Sequence, residues 1–142
     1  MSAPPTASES RRPLAPGITF ALCGAAAYIT TLDLSIVNVA FPEILRDFKG
    51  VTRADLSWIV TVYNIAFGSL LVVAGKTADK VGRKRIFLIG VGVFALGSAI
   101  CAFAPGLPVM IAGRAVQGLG GALLSPASLG LLLAAFPQEK RT

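Results

Sequence analysis

Two ionisable residues stand inside apolar stretches that carry no other charge. Asp33 is the only charged residue between Ile18 and Val39, and Arg114 the only one between Val109 and Phe136. A carboxylate in apolar surroundings can take up and release a proton, and a guanidinium near it changes how readily it does so. Other chemistries lack their residues. The chain has no His, and its two cysteines, Cys23 and Cys101, are too few for a four-ligand zinc site. There is no nucleophile–base pair and no phosphate-binding glycine loop, so neither an enzyme nor a cofactor or metal is expected.

The elements that position these two charges are apolar runs of membrane-spanning length. The 142 residues are 54% hydrophobic and 14% charged, against about 25% charged in a typical soluble domain. Four spans follow, at about 18–39, 56–75, 86–103 and 109–136. Ala104-Pro105-Gly106-Leu107-Pro108 separates the last two, because Pro and Gly interrupt helices. The fourth run is longer than the ~20 residues a bilayer needs, which implies tilt or a kink at Pro126. No period-2 alternation supports strands, so the expected fold class is an all-α membrane protein with four transmembrane helices. Residues 1–16, rich in Ser, Pro and Ala, read as a disordered cytoplasmic tail, and residues 17–142 as the membrane domain. A signal peptide is rejected for the first span, because more membrane follows it and no secreted domain.

Lys and Arg set the orientation. Arg11, Arg12, Lys76, Lys80, Arg83, Lys84, Arg85, Lys140 and Arg141 fall on one side of the membrane, against Arg46, Lys49 and Arg53 on the other. That bias places both termini in the cytoplasm of a multi-pass protein of the plasma (cell inner) membrane. The net charge of +6 is then accounted for by topology, and no nucleic-acid partner is expected. Cys23 and Cys101 lie at opposite depths, too far apart for a disulfide, and read as small packing residues.

Depth brings the two charges together. At 1.5 Å per residue, Asp33 lies ~9 Å inside Val39 and Arg114 ~7.5 Å inside Val109, both in the outer half of the membrane. A pair between them, direct or through water, lowers the cost of both. It either fixes helix packing or forms a titratable centre whose proton affinity responds to Arg114. Polar and small residues recur at helical spacing around it. Arg114, Gln117, Gly118, Gly121, Ser125 and Ser128 share one face of the fourth helix, and Ser57, Thr61, Asn64, Gly68 and Gly75 one face of the second. The Gly and Ser positions read as close-packing sites. Asn38, Asn64 and Gln117 either bond helices together or line a polar cavity. The third helix, almost without polar residues, reads as a support on the lipid side.

The segment Gly75-Lys76-Thr77-Ala78-Asp79-Lys80-Val81-Gly82-Arg83-Lys84-Arg85 reads as a short cytoplasmic loop with a type I turn over Asp79–Gly82. It resembles the G-x-L-A-D-x-x-G-R-K/R loop signature of the major facilitator superfamily, with Thr77 in place of Leu. Leu32-Asp33-Leu34-Ser35-Ile36-Val37-Asn38-Val39-Ala40-Phe41-Pro42 is similar to the first-helix L-D-x-T-I-V-N-V-A-L-P signature of its branch of drug:proton antiporters with 14 spans. Arg114-Ala115-Val116-Gln117-Gly118-Leu119-Gly120-Gly121-Ala122 resembles the fourth-helix R-x-x-Q-G-x-G-x-A signature, and Trp58-Ile59-Val60-Thr61-Val62-Tyr63 the opening of the second helix.

The resemblance implies a partial N-terminal half of a major facilitator fold, and a parent activity of proton-coupled efflux of small molecules or drugs. It makes Arg114 and Asp33 the proton-coupling residues, and Gly75, Asp79, Gly82 and Arg83 a cytoplasmic latch that closes against the second half of the transporter. The implied partners are a small-molecule substrate, protons, the lipid bilayer and the missing C-terminal helices. The fifth-helix G-P-x-x-G signature does not occur, so alternating access is not expected of these four helices alone. Two other readings stay open. One is a four-helix exporter of the small multidrug type, working as an oligomer with Asp33 as its membrane carboxylate. The other is a membrane scaffold without transport.

Overall fold

A computed structural model describes residues 16–135. The described residues form four α-helices and no strand: α1 (Pro16–Asp47), α2 (Arg53–Val81), α3 (Arg83–Ala102) and α4 (Leu107–Ala135). Each is long and apolar enough to cross a membrane. The expected tail lies outside the described residues except for Pro16, and so do residues 136–142.

The helices outrun the apolar segments that announce them, because backbone hydrogen bonding continues where apolarity stops. α1 does not end at Val39 but runs through Pro42 to Asp47. A membrane helix tolerates such a proline when its neighbours satisfy the freed backbone group. α2 begins at Arg53, with Thr52 as its N-cap. The Thr52 Oγ1 accepts from the Asp55 amide at 3.2 Å, and Asp55 Oδ2 accepts from the Thr52 amide at 2.8 Å, a complete capping box.

The type I turn expected over Asp79–Gly82 is absent. α2 stays helical through Val81, and Gly82 alone, at φ 110°, turns the chain directly into α3. That φ is open to glycine and strained for other residues. The Gly82 amide still donates to the Ala78 carbonyl at 3.0 Å, so the corner costs no helical hydrogen bond at its start. α4 opens at Leu107 with Pro108 in its first turn, where the missing N–H is no loss. It continues through Pro126.

α4 is the centre of the bundle. It packs closely on α3 and α2, and α1 touches it more sparsely. Close approach depends on residues without side chains. A Cβ on Gly120 would lie 2.5 Å from the Phe94 amide nitrogen, and one on Gly97 2.6 Å from that of Gln117. On the α2 side, a Cβ on Gly118 would lie 2.5 Å from the Tyr63 carbonyl oxygen. α3 is therefore joined to α4 backbone to backbone, while its Leu88, Ile89 and Leu96 face outward. The buried apolar core includes Cys23, Tyr63, Ala78, Ile86, Phe87, Phe94, Leu124 and Ala127. α1 turns Ile18, Leu22, Tyr28, Ile29, Ile36 and Val39 outward.

Candidate functional site

The deepest polar residues of the bundle meet at one point. Arg114 is 2% exposed and Gln117, one turn further along α4, is equally buried. Both face Asp33 of α1, whose side chain is 18% exposed. Arg114 Nη1 donates to Asp33 Oδ2 at 2.5 Å and to Gln117 Oε1 at 2.7 Å. Gln117 Nε2 closes the ring by donating to Asp33 Oδ1 at 3.2 Å. Each carboxylate oxygen thus has a donor, and the glutamine amide, donating at one end and accepting at the other, fixes the spacing of acid and base.

Two residues complete the centre that spacing did not single out. The Tyr63 ring of α2 lies under the guanidinium, with its centroid 4.5 Å from Arg114 Cζ. A ring face attracts a cation and offsets part of its desolvation. Phe67 stacks beside Tyr63 with a centroid separation of 6.1 Å. Cys101 of α3 is the second. Its thiol lies 3.6 Å from both Gln117 Oε1 and the Met110 carbonyl oxygen. It reaches them because α3 closes on Gly113, where a Cβ would lie 2.6 Å from Cys101 Sγ. Cys101 and Cys23 are both free thiols, so no disulfide joins them, but Cys101 borders the charged centre and is more than a packing residue. The signal for both was indirect: Tyr63 lies one residue before the polar Asn64, and Cys101 one helical turn after Gly97.

Arg114 keeps spare capacity. Its Nε and Nη2 are buried and have no hydrogen-bond partner. Beside the centre, a cavity of about 330 Å³ is lined by Asp33, Ile59, Ser98, Cys101, Met110, Arg114 and Gln117 among others.

Of the three amides read as candidates, only Gln117 joins Asp33 and Arg114. Asn38 is exposed and donates to the Leu34 carbonyl of its own helix at 3.1 Å; it borders a crevice with Phe41, Pro42, Leu45, Arg53 and Leu56. Asn64 is exposed and borders a smaller crevice between α1 and α2, with Thr30, Thr31, Leu34, Tyr63 and Phe67.

Of the second group of candidates, Asp79, Gly82 and Arg83 meet at the α2–α3 corner. Arg83 Nε and Nη2 donate to Asp79 Oδ1 at 3.1 and 3.0 Å across Gly82. Gly75 faces Pro126 of α4, where a Cβ would make an ordinary 3.7 Å contact. No group of three or more His, Cys, Asp and Glu able to hold a metal occurs among the described residues.

A sequence model of the Major Facilitator Superfamily matches residues 21–142. The chain is similar to the methylenomycin A resistance protein of Streptomyces coelicolor, at 40% identity over 131 residues, covering 92% of this chain and 27% of that protein. It is 42% identical over 123 residues to the multidrug resistance protein Stp of Mycobacterium tuberculosis, covering 87% and 23%. It is 34% identical over 114 residues to the riboflavin transporter RibZ of Clostridioides difficile, covering 80% and 25%. The chain thus spans about a quarter of the length of these curated relatives.

Proposed function

The chain belongs to the Major Facilitator Superfamily, a family of membrane transporters, and from that premise we propose that it supplies the proton-coupling centre of a small-molecule exporter of the plasma membrane. Both termini then lie in the cytoplasm, a reading supported by the distribution of Lys and Arg. The observation that carries the reading is the buried Arg114, held by Asp33 and Gln117 over the Tyr63 ring.

The coupling follows from charge. With Asp33 ionised, Arg114 is compensated and α1 is tied to α4. A proton arriving from the outer side neutralises Asp33 and weakens that tie, because one carboxyl oxygen ceases to accept and the ionic attraction is lost. The arginine is then a buried cation without a counter-charge, left with neutral oxygens and a ring face, an arrangement costing several kcal/mol. Movement of the helices that offers Nε and Nη2 new acceptors relieves the cost and carries the site toward the cytoplasm, where the proton leaves; the return movement brings the ionised Asp33 back to Arg114. Asp79 and Arg83 hold the cytoplasmic end in one arrangement until the rest of the transporter engages it.

Two of the relatives are resistance proteins by name, which favours outward transport of amphipathic compounds, while the transporter RibZ widens the range of substrates. The alternating-access cycle needs the further helices of a full-length transporter. The test is Asp33→Asn in a full-length transporter that carries this segment. In everted membrane vesicles the variant inserts normally and loses accumulation driven by a pH gradient. Accumulation that survives with its dependence on the gradient unchanged removes Asp33 from the mechanism.

A further inference from the structure

Asp79 alone does not hold Arg83. The two side chains are 64% and 40% exposed, and an exposed pair four residues apart adds little order. The rest of the guanidinium is anchored on another helix. Arg83 Nη1 donates to the main-chain carbonyl of Gly130, on the cytoplasmic end of α4, at 2.7 Å. With Nε and Nη2 on Asp79 Oδ1, every nitrogen of the group has an acceptor. Gly130 is buried, and the arginine fits there because residue 130 lacks a side chain. A Cβ would lie 2.5 Å from Arg83 Cδ and Nε and 2.8 Å from Cζ. Helix propensity by itself favours alanine at such a position, so a glycine here serves the contact and not the helix.

We propose that Gly130 is a notch that seats the Arg83 guanidinium and pins the α2–α3 corner to α4. Gly130 acts as a positioning residue: it fixes Arg83, and Arg83 engages one oxygen of Asp79 through two nitrogens. The Oδ1 atom is taken up inside the four-helix unit, and the exposed carboxylate keeps its other oxygen for a partner outside it. The seat is a property of this chain. Only its part in a latch rests on the transport reading above.

The distinguishing measurement is nuclear magnetic resonance of the guanidinium protons in the 142-residue chain, labelled with ¹⁵N-arginine in detergent micelles. Arg83 is identified by the signals lost in Arg83→Lys. Buried Arg114 serves as the internal reference for an intact bundle. In the unaltered chain, the Nη protons of Arg83 are resolved and exchange slowly with water. In Gly130→Ala they collapse to an averaged signal and exchange about tenfold faster, as expected for one lost hydrogen bond, while Arg114 is unchanged. Asp79→Ala, which removes the other acceptor and leaves the notch intact, keeps the Arg83 signals resolved.

Averaged Arg83 signals in the unaltered chain would overturn the proposal, and so would resolved ones in Gly130→Ala. If Gly130→Ala also disturbs Arg114, Asp79→Ala decides alone: resolved Arg83 signals support the notch and averaged ones remove it. A full-length transporter that lacks proton coupling but retains a seated Arg83 would refute the transport reading and leave the notch standing.

Discussion

Arg114 is the residue whose burial sets the terms for its neighbours. At 2% exposure it depends on Asp33 for compensation, and removing one partner of a buried pair costs about 3–5 kcal/mol. Asp33→Ala is therefore expected to lower stability by that order in denaturant unfolding in micelles. Adding Arg114→Met should recover most of the loss, because it removes the stranded cation; a double variant no more stable than Asp33→Ala would mean that the pair contributes little. Asp33 and Arg114 were legible in the sequence because a charge inside an apolar run is costly to bury and so stands out, and counting residues placed both at similar depth. Gln117 was legible only as a polar residue on the same helix face. Its bridging role needed the third dimension, as did the ring of Tyr63 and the thiol of Cys101, because contacts between helices carry no fixed spacing along the chain.

At the scale of the helices, glycine decides where backbones meet, and the effect of alanine changes sign with position. Gly120→Ala sets a Cβ 2.5 Å from the Phe94 amide nitrogen, a backbone atom that cannot step aside, and overpacking of this kind costs about 1–3 kcal/mol. Gly92→Ala on α3 meets nothing within 4 Å and should be neutral or stabilising by up to about 1 kcal/mol from helix propensity. Unfolding of the two variants side by side checks the packing, and equal effects would contradict it.

The N-terminal end of α2 gives a pH signature. The Thr52 amide and hydroxyl hold the Asp55 carboxyl below the usual aspartate range. A depressed folded-state value means that the cap is fully present above the unfolded-state pKa and is lost as the pH falls through the folded one. Amide exchange in the first turn of α2, normalised for its intrinsic rate, should therefore stay protected down to about pH 4 and rise below it; Asp55→Asn should flatten that rise. The existence of all four helices was legible from apolar runs, and their ends were not. Hydropathy falls at Gly75, yet Ala78, Asp79 and Lys80 remain helical, and a single residue with positive φ replaces the expected turn.

At the scale of the whole molecule, the exposed apolar face of α1 and the chain's share of about a quarter of its relatives' length frame the same conclusion. These four helices contain a charged centre and the α2–α3 corner, and a transport cycle needs a second body for them to move against. Proton flux tests the central claim most directly. A full-length transporter carrying this segment is reconstituted into vesicles with an internal pH-sensitive dye, and flux is started by adding an exported compound. Protons are expected to move against the compound in the unaltered protein. In Asp33→Asn, proton movement should be abolished while downhill exchange of the compound continues. Proton movement per transported molecule that is the same in both proteins would contradict the role of the Asp33–Arg114 centre.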